Sequence, residues 1–324
     1  MVRIAGTGHY VPAKVLSNND LEKMVDTNDE WIIQRTGIKN RRIVEDEVTS
    51  DLATKAGQKA LEAAGMKPED IDLIILGTST PDYHIPSCAP IVQHKLGCRM
   101  IPAFDINSVC TSFMCGLTTA YSMIASGLYK NCLLIGADTY SKILNWKDRN
   151  TCVIFGDGAG AVVLVKDDNA GKLLSTDFGS DGSGSDYIKI PVGGVVNPIN
   201  NFYGYKEEDL FFQMAGKKVY EFTISVVPEA ARRMLRQANL TNETIDHVIV
   251  HQANVRIIDT ISKMVDIDRK KFIVNIEKYG NTSSASIPIA LDEAVRHNII
   301  KKGETVMMLG FGGGLSWGGV VFQW

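Results

Sequence analysis

Apolar positions along the chain switch repeatedly between a helical and a strand-like rhythm, and the switches mark out elements. From Thr49 to Ala64 they recur at three- and four-residue spacing (Leu52, Ala53, Ala56, Ala60, Leu61, Ala64), and Gly65 follows. That spacing predicts a helix stopped by a glycine. Lys67 to Asp70 reads as a turn, and Ile71 to Leu76 is a nearly unbroken apolar run of the kind buried on both faces of a sheet. A loop with Pro81 and Pro86 leads to a predicted helix from about Cys88 to Leu96 and a strand from Pro102 to Ile106. A long small-residue helix from Cys110 to about Gly127 and a strand from Cys132 to Gly136 come next. Helices alternating with apolar strands predict an α/β protein.

The pattern then repeats. Leu61 corresponds to Leu235, Ala64 to Ala238, Ile71-Asp72 to Ile245-Asp246 and Gly136 to Gly310, each pair 174 residues apart. One offset held over a helix, two strands and a glycine turn indicates a duplicated βα unit whose halves meet near residues 166–172. The expected domains are residues 1–168 and 169–324.

Both halves finish in a glycine-rich segment, Gly156-Asp157-Gly158-Ala159-Gly160 and Gly310-Phe311-Gly312-Gly313-Gly314. Neither is followed by the Gly-Lys-Ser/Thr of a phosphate-binding loop, nor has the spacing and helix of a dinucleotide site. The glycines are expected to permit close backbone approach, or to aim a backbone N–H at a ligand.

With 324 residues, 45% hydrophobic and 22% charged, the chain has the composition of an ordinary globular protein in two halves. A net charge of −3 gives no general attraction to nucleic acid or anionic lipid, so an anionic partner must meet a local basic patch. No apolar run approaches the ~18 residues of a membrane span. The opening Met1-Val2-Arg3-Ile4-Ala5-Gly6 leads into a strand-like segment without the features of a signal peptide. Six cysteines without metal-ligand spacing or a small secreted frame read as reduced thiols, and the expected compartment is the cytoplasm.

One of these cysteines stands apart. Asp105-Ile106-Asn107-Ser108-Val109-Cys110-Thr111-Ser112 places Cys110 between a strand and a helix. There the unpaired N–H groups and the dipole of a helix N-terminus favour the thiolate, which makes Cys110 a candidate nucleophile. The offset maps the end of the Ile71–Leu76 strand onto His251, where open α/β sheets place ligands. The loop Lys278-Tyr279-Gly280-Asn281-Thr282-Ser283-Ser284, expected to lead from a strand into a helix, occupies the place of the Cys110 loop. Duplication thus brings Cys110, His251 and Asn281 toward the middle of the molecule. In the segment Asp26 to Arg42, Trp31 and Arg35 at i, i+4 put an aromatic face beside a guanidinium, suited to a planar anionic ligand.

The Cys110 junction, His251-Gln252-Ala253-Asn254, Tyr279-Gly280-Asn281-Thr282-Ser283, the two glycine-rich segments, Asp29-Glu30-Trp31-Ile32 and Arg35-Thr36-Gly37-Ile38 together resemble the 3-oxoacyl-[acyl-carrier-protein] synthase III family of the thiolase superfamily. The resemblance runs nearly end to end. It implies a thiolase-like α/β fold, with two duplicated βαβ halves forming a layered αβαβα core. The implied activity is condensation: Cys110 takes an acyl group from acyl-CoA, and malonyl-ACP (ACP, acyl carrier protein) then loses carbon dioxide to give an enolate that attacks it. His251 and Asn281 are implied as donors to the enolate oxygen, and the N–H groups of Cys110 and Gly313 as the oxyanion hole. CoA binding is implied for Thr27, Trp31, Arg35, Arg149 and Asn254, carrier docking for Arg256 and Gln252, and the acyl pocket for Phe311 and, from a partner subunit, Ile85. A homodimer follows, with no metal or redox cofactor.

Asn107-Ser108 and Thr111-Ser112 flank Cys110 where the family usually shows small residues, and Glu221 stands where a basic docking residue is expected, beside Lys217 and Lys218. A specialised condensing enzyme or acyltransferase of the same fold is therefore the alternative. Papain-like proteases share the order Cys, His, Asn, but this chain lacks their cysteine flank and secreted, disulfide-bearing context. An acyl-CoA-binding homologue without catalysis is the non-enzyme reading.

Overall fold

A computed structural model describes residues 1–167, 171–200 and 204–324, so the boundary expected between residues 168 and 169 lies outside the described residues. In chain order the elements are β1 (Val2–Tyr10), β2 (Val15–Ser17), α1 (Asn18–Leu21), α2 (Asp29–Thr36), β3 (Asn40–Arg42), α3 (Thr49–Ala64), β4 (Ile74–Gly77), α4 (Cys88–Leu96), β5 (Ala103–Ile106), α5 (Ser112–Ala125), β6 (Asn131–Thr139) and β7 (Asp157–Lys166). There follow β8 (Lys172–Ser180), β9 (Ile188–Lys189), β10 (Gln213–Met214), α6 (Gly216–Ala238), β11 (His247–Val250), α7 (Val255–Val265), α8 (Ile276–Tyr279), α9 (Ser286–Arg296), β12 (Thr305–Gly312) and β13 (Ser316–Gln323).

The strands build two sheets of matching order, β1-β7-β6-β4-β5 and β8-β13-β12-β11. In the first, β4 runs parallel to β5 and β6, and β7 antiparallel to β6 and β1; in the second, β11 is parallel to β12, and β13 antiparallel to β12 and β8. The second sheet keeps only a bridge, Val248 to Phe272, where the first has β5. The strand expected before Lys278 is instead the helical turn α8. Glu293 anchors that turn, accepting from Asn275 Nδ2 at 2.9 Å and from the Tyr279 hydroxyl at 2.7 Å.

Strand residues alternate between two cores, as the pleat requires. Leu73, Ile75, Leu134, Val162 and Leu164 face inward, where α5 (Phe113, Leu117, Ile124) and α9 (Ile287, Ala290, Leu291) fill the space between the sheets with Val306, Met308 and Val320. Ile74, Leu76, Leu133, Ile135 and Val163 face outward against α3 and α4. Met307, Leu309 and Val321 face outward against α6 and α7. The result is five layers, αβαβα. Burying one such aliphatic side chain contributes about 1.5–3 kcal/mol, so the apolar runs of β4, β6 and β12 commit these segments to the interior.

Helix α3 begins and ends where the periodicity places it, with Gly65 at φ 65°. The i, i+4 spacing of Trp31 and Arg35 falls on helix α2, which takes up only the middle of the Asp26–Arg42 segment. Asn28 caps it by accepting from the Trp31 N–H, Gly37 ends it at φ 79°, and Asn40–Arg42 forms β3. Buried Arg41 ties this region down, donating to the Leu16 and Val153 carbonyls and to Asn18 Oδ1. The first glycine-rich segment works by close approach: a Cβ on Gly156 would stand 2.3 Å from the Tyr279 carbonyl oxygen. Among the described residues, no helix is long and apolar enough to cross a membrane.

Candidate active site

Cys110 lies in a 3₁₀ turn, Val109–Thr111, directly ahead of α5, and Ser283–Ala285 forms the same turn ahead of α9. The offset of the sequence repeat holds residue for residue here. Val109 and Ser283 both adopt positive φ, 49° and 51°, a conformation that costs a residue with a Cβ about 1–2 kcal/mol. Each is pinned by an asparagine two residues earlier: Asn107 Oδ1 accepts from the Val109 N–H at 3.2 Å, and Asn281 Oδ1 from the Ser283 N–H at 2.8 Å. The asparagine flanking Cys110 is thus part of the turn that presents the thiol.

The two turns meet in the middle of the molecule. Ser283 Oγ lies 3.4 Å from Cys110 Sγ. Burial pushes the Cys110 thiol up to about 12, against the lowering effect of the Ser283 hydroxyl. Desolvation of the closed surroundings thus opposes the thiolate bias expected from the helix terminus.

His251 follows β11 and is buried; burial alone lowers its pKa to about 3, so the imidazole is neutral at pH 7. Its Nδ1 lies 2.6 Å from Ser286 Oγ, and the Phe311 ring stands edge-on to it at 5.1 Å. Asn281 is clamped by its backbone, donating to the Ile154 carbonyl at 2.9 Å and accepting from the Gly156 N–H at 3.0 Å. Because its Oδ1 takes the Ser283 N–H, its Nδ2–H donors remain. Cys110, His251 and Asn281 line one cavity of about 40 Å³, together with Tyr140, Phe155, Phe212, Met214, Phe311 and Gly312.

A groove of about 750 Å³ opens outside it, lined by Trp31, Arg35, Asn254, Arg256, Lys217 and Tyr220 among others, and Met214 borders both spaces. Arg35 and Arg149 flank the Trp31 ring, with guanidinium carbons 4.6 and 5.3 Å from its centroid. Arg149 is held by the Asp26 carbonyl at 2.7 Å, and Asn254 caps α7 while donating to the Arg35 carbonyl at 2.8 Å. Among the described residues, buried Thr27 Oγ1 has no hydrogen-bond partner.

Family models described as 3-Oxoacyl-[acyl-carrier-protein (ACP)] synthase III and its C-terminal region match residues 104–182 and 235–324. The Beta-ketoacyl-[acyl-carrier-protein] synthase III of Clostridioides difficile strain 630 is 50% identical over 323 residues, 99% of this chain and 98% of the relative. That of Caldanaerobacter subterraneus subsp. tengcongensis is 49% identical, over 99% of this chain and 97% of the relative. The chain belongs to the 3-oxoacyl-[acyl-carrier-protein] synthase III family. The 3-oxoacyl-[acyl-carrier-protein] synthase III structure from Aquifex aeolicus VF5 superposes with a TM-score of 0.93 at 42% identity, covering 100% of both chains. A priming beta-ketosynthase from the R1128 polyketide biosynthetic pathway reaches 0.91 at 32% identity, over 99% of this chain and 95% of that one.

Within this synthase III chain one expected contact is corrected. Gln252 is 1% exposed; its amide donates to the Val250 and Ile273 carbonyls and accepts from the Asn275 N–H. It braces the strand end beneath His251 and presents nothing to a docking partner. Arg256 is exposed at the groove rim, and Ile85 is 89% exposed.

Sequence reasoning passed over Tyr140, Ser283 and Gly312 beside the thiol, and Ser286, which lies outside the cavity lining behind His251. The glycine nearest the thiol is Gly312 rather than Gly313, since a Cβ there would stand 3.1 Å from Cys110 Sγ. The offset itself was the available signal. It pairs Cys110 with Ser284 and Gly312 with Asp138, and Asp138 Oδ2 accepts from the Ser284 N–H at 3.0 Å and its hydroxyl at 2.7 Å.

Proposed function

We propose that this chain is a condensing enzyme that initiates fatty acid synthesis, joining an acyl group from acyl-CoA to malonyl-ACP to give 3-oxoacyl-ACP, CoA and carbon dioxide. The observation that carries the site assignment is the convergence of Cys110, His251 and Asn281 on one buried cavity at the foot of a groove edged by Trp31 and Arg35.

In the first half-reaction, Cys110 sulfur attacks the thioester carbonyl, the C–S bond to CoA breaks, and the thiol proton leaves with CoA as its thiol. Backbone N–H groups of Cys110 and Gly313 stabilise the oxyanion in space left open by Gly312. In the second, the malonyl carboxylate leaves as carbon dioxide and its electron pair becomes the enolate. Neutral His251 and the Asn281 amide donate to the enolate oxygen, a role a permanently charged group would perform at greater desolvation cost. The enolate carbon attacks the acyl-cysteine, and the released thiolate takes a proton from solvent. No metal or redox cofactor enters these steps.

Trp31, Arg35 and Arg149 are read as the CoA contacts, with Thr27 and Asn254 beside them, and Arg256 as part of the local basic rim for the acidic carrier. The strongly exposed Ile85, and β5 half-exposed along its length at the sheet edge, support a homodimer. The reading places the enzyme in the cytoplasm. The initiating role is preferred to a specialised pathway because relatives named Beta-ketoacyl-[acyl-carrier-protein] synthase III match at 49–50% identity, against 32% for the priming ketosynthase of a polyketide pathway.

Intact-protein mass spectrometry with a panel of acyl-CoAs, followed by malonyl-ACP, tests the proposal. The expected result is an adduct lost in Cys110→Ala and discharged by malonyl-ACP as 3-oxoacyl-ACP. An adduct that malonyl-ACP leaves in place would remove the condensation, and no adduct would remove the nucleophile.

A further inference from the structure

Ser286 opens α9 and is buried at 2% exposure. Its hydroxyl has two neighbours among the described hydrogen bonds: Oγ accepts from the Gln252 backbone N–H at 3.3 Å and lies 2.6 Å from His251 Nδ1. A hydroxyl has one proton to give, and among the described residues Nδ1 is the acceptor it reaches. If Nδ1 carried the ring proton instead, Oγ would face two N–H donors while its own proton lay buried without an acceptor, which is unfavourable for a desolvated hydroxyl.

The corresponding serine of the first half behaves differently. Ser112 Oγ donates to the Val109 carbonyl at 2.7 Å and accepts from the Ser108 N–H at 2.8 Å, closing its own turn. The residue matching His251 there is Gly77, where a Cβ would come within 2.9 Å of Ser112 Cβ, so no ring fits. The outward-turned serine therefore occurs where a histidine is present to be oriented.

We infer that Ser286 is a positioning residue: its hydroxyl donates to Nδ1 of His251 and holds the ring proton on Nε2, on a ring that lines the catalytic cavity. With the proton on Nε2, the imidazole offers an N–H to the enolate oxygen; the other tautomer would turn a lone pair toward it. Decarboxylation of the malonyl group needs this donor, whereas acyl transfer to Cys110 draws on the backbone oxyanion hole. The inference rests on the proposed condensation for its kinetic consequence, but the tautomer itself is independent of that reading.

The test combines a spectrum with the two half-reactions measured separately. In protein labelled with [15N]histidine, with the His251 signals assigned by their loss in His251→Asn, the parent is expected to show the Nε2–H tautomer at pH 7. Ser286→Ala is expected to shift the ring toward the Nδ1–H form and lower malonyl-ACP decarboxylation about 10–100-fold, by analogy with loss of the hydrogen-bond partner that orients a metal-bound histidine. Cys110 acylation by acetyl-CoA stays near the parent rate, which also reports that the variant is folded. Ser286→Thr, keeping the hydroxyl, restores both the tautomer and decarboxylation. An Nδ1–H tautomer in the parent, or an unchanged tautomer in Ser286→Ala, would overturn the inference. So would a proportional fall in both half-reactions, which marks a merely structural role. A parent that neither acylates nor decarboxylates would defeat the proposed function, while the tautomer spectrum would still decide Ser286.

Discussion

Tyr140 lies flat on Phe155, ring centroids 4.6 Å apart and 9° from parallel, and Phe212 packs edge-on against both. These three rings help wall the cavity of about 40 Å³ that holds Cys110, and acyl groups of two or three carbons are expected to react best there. Each methylene beyond that is expected to cost about 10–200-fold in kcat/KM. Tyr140→Leu opens the wall, and measured over a series of straight-chain acyl-CoAs it is expected to recover at least about 10-fold for four- and five-carbon groups. Tyr140→Phe, which leaves the wall in place, keeps the parent preference.

Gly312 is packed against the nucleophile. A Cβ there would stand 2.8 Å from Cys110 Cβ and 3.2 Å from its backbone nitrogen. Gly312→Ala is expected to lower Cys110 acylation by about 100–1,000-fold, the usual loss when oxyanion stabilisation is disturbed. Urea unfolding is expected to show a loss of about 1–3 kcal/mol from overpacking. An acylation rate near that of the parent would remove Gly312 from the oxyanion space.

Burial of His251 makes the protein acid-sensitive. Its folded-state pKa, lowered to about 3, lies below the unfolded value of ~6.5, so between these values the unfolded chain binds the extra proton. Stability therefore rises with pH through that window and is lost as pH falls. Replacing His251 by Gln removes this contribution, so between pH 7 and 5 the variant is expected to lose about 2 kcal/mol less than the parent. Asp157, pushed up to about 6 by burial, acts in the opposite direction in both proteins and drops out of the comparison. Urea unfolding at the two pH values measures the difference.

At the entrance, the guanidinium groups of Arg35 and Arg149 lie against the Trp31 ring, 4.6 and 5.3 Å from its centroid. Trp31→Ala and Arg149→Ala are each expected to raise KM for acyl-CoA about 2–5-fold, corresponding to about 0.5–1 kcal/mol per exposed cation–π contact. A proposed CoA contact at the entrance, away from the thiol, would serve substrate and transition state alike, so kcat is expected to change little. A fall in kcat at constant KM would assign these residues to the chemistry instead.

Much of this architecture was legible in the residue pattern because the chain states it twice. The helices at Thr49–Ala64 and Cys88–Leu96, the apolar strands and the repeat offset follow from periodicity, and the offset carried His251 and Asn281 to the Cys110 turn. Local rhythm could not register what depends on packing across layers. The segment before Asn281 forms a helical turn because Glu293, on another element, holds Asn275 and Tyr279. Gln252 looks like a surface amide in sequence, yet three backbone groups claim it. The desolvation acting on Cys110 escapes the same reading, since a helix terminus is visible in sequence and a closed cavity is not.

The Ser284 turn shows what a reactive turn looks like when its vacancy has been filled from within. There the chain contributes its own carboxylate, and Asp138 Oδ2 takes both the backbone N–H and the hydroxyl of Ser284. An oxygen from outside finds those donors already engaged. One hundred and seventy-four residues on from Asp138, Gly312 contributes no side chain at all, and the Cys110 turn keeps its room. Two moulds of one shape thus yield a single reaction centre: the plugged copy lends Asn281 and Ser283 to its rim, and the unplugged copy is the one a substrate can complete.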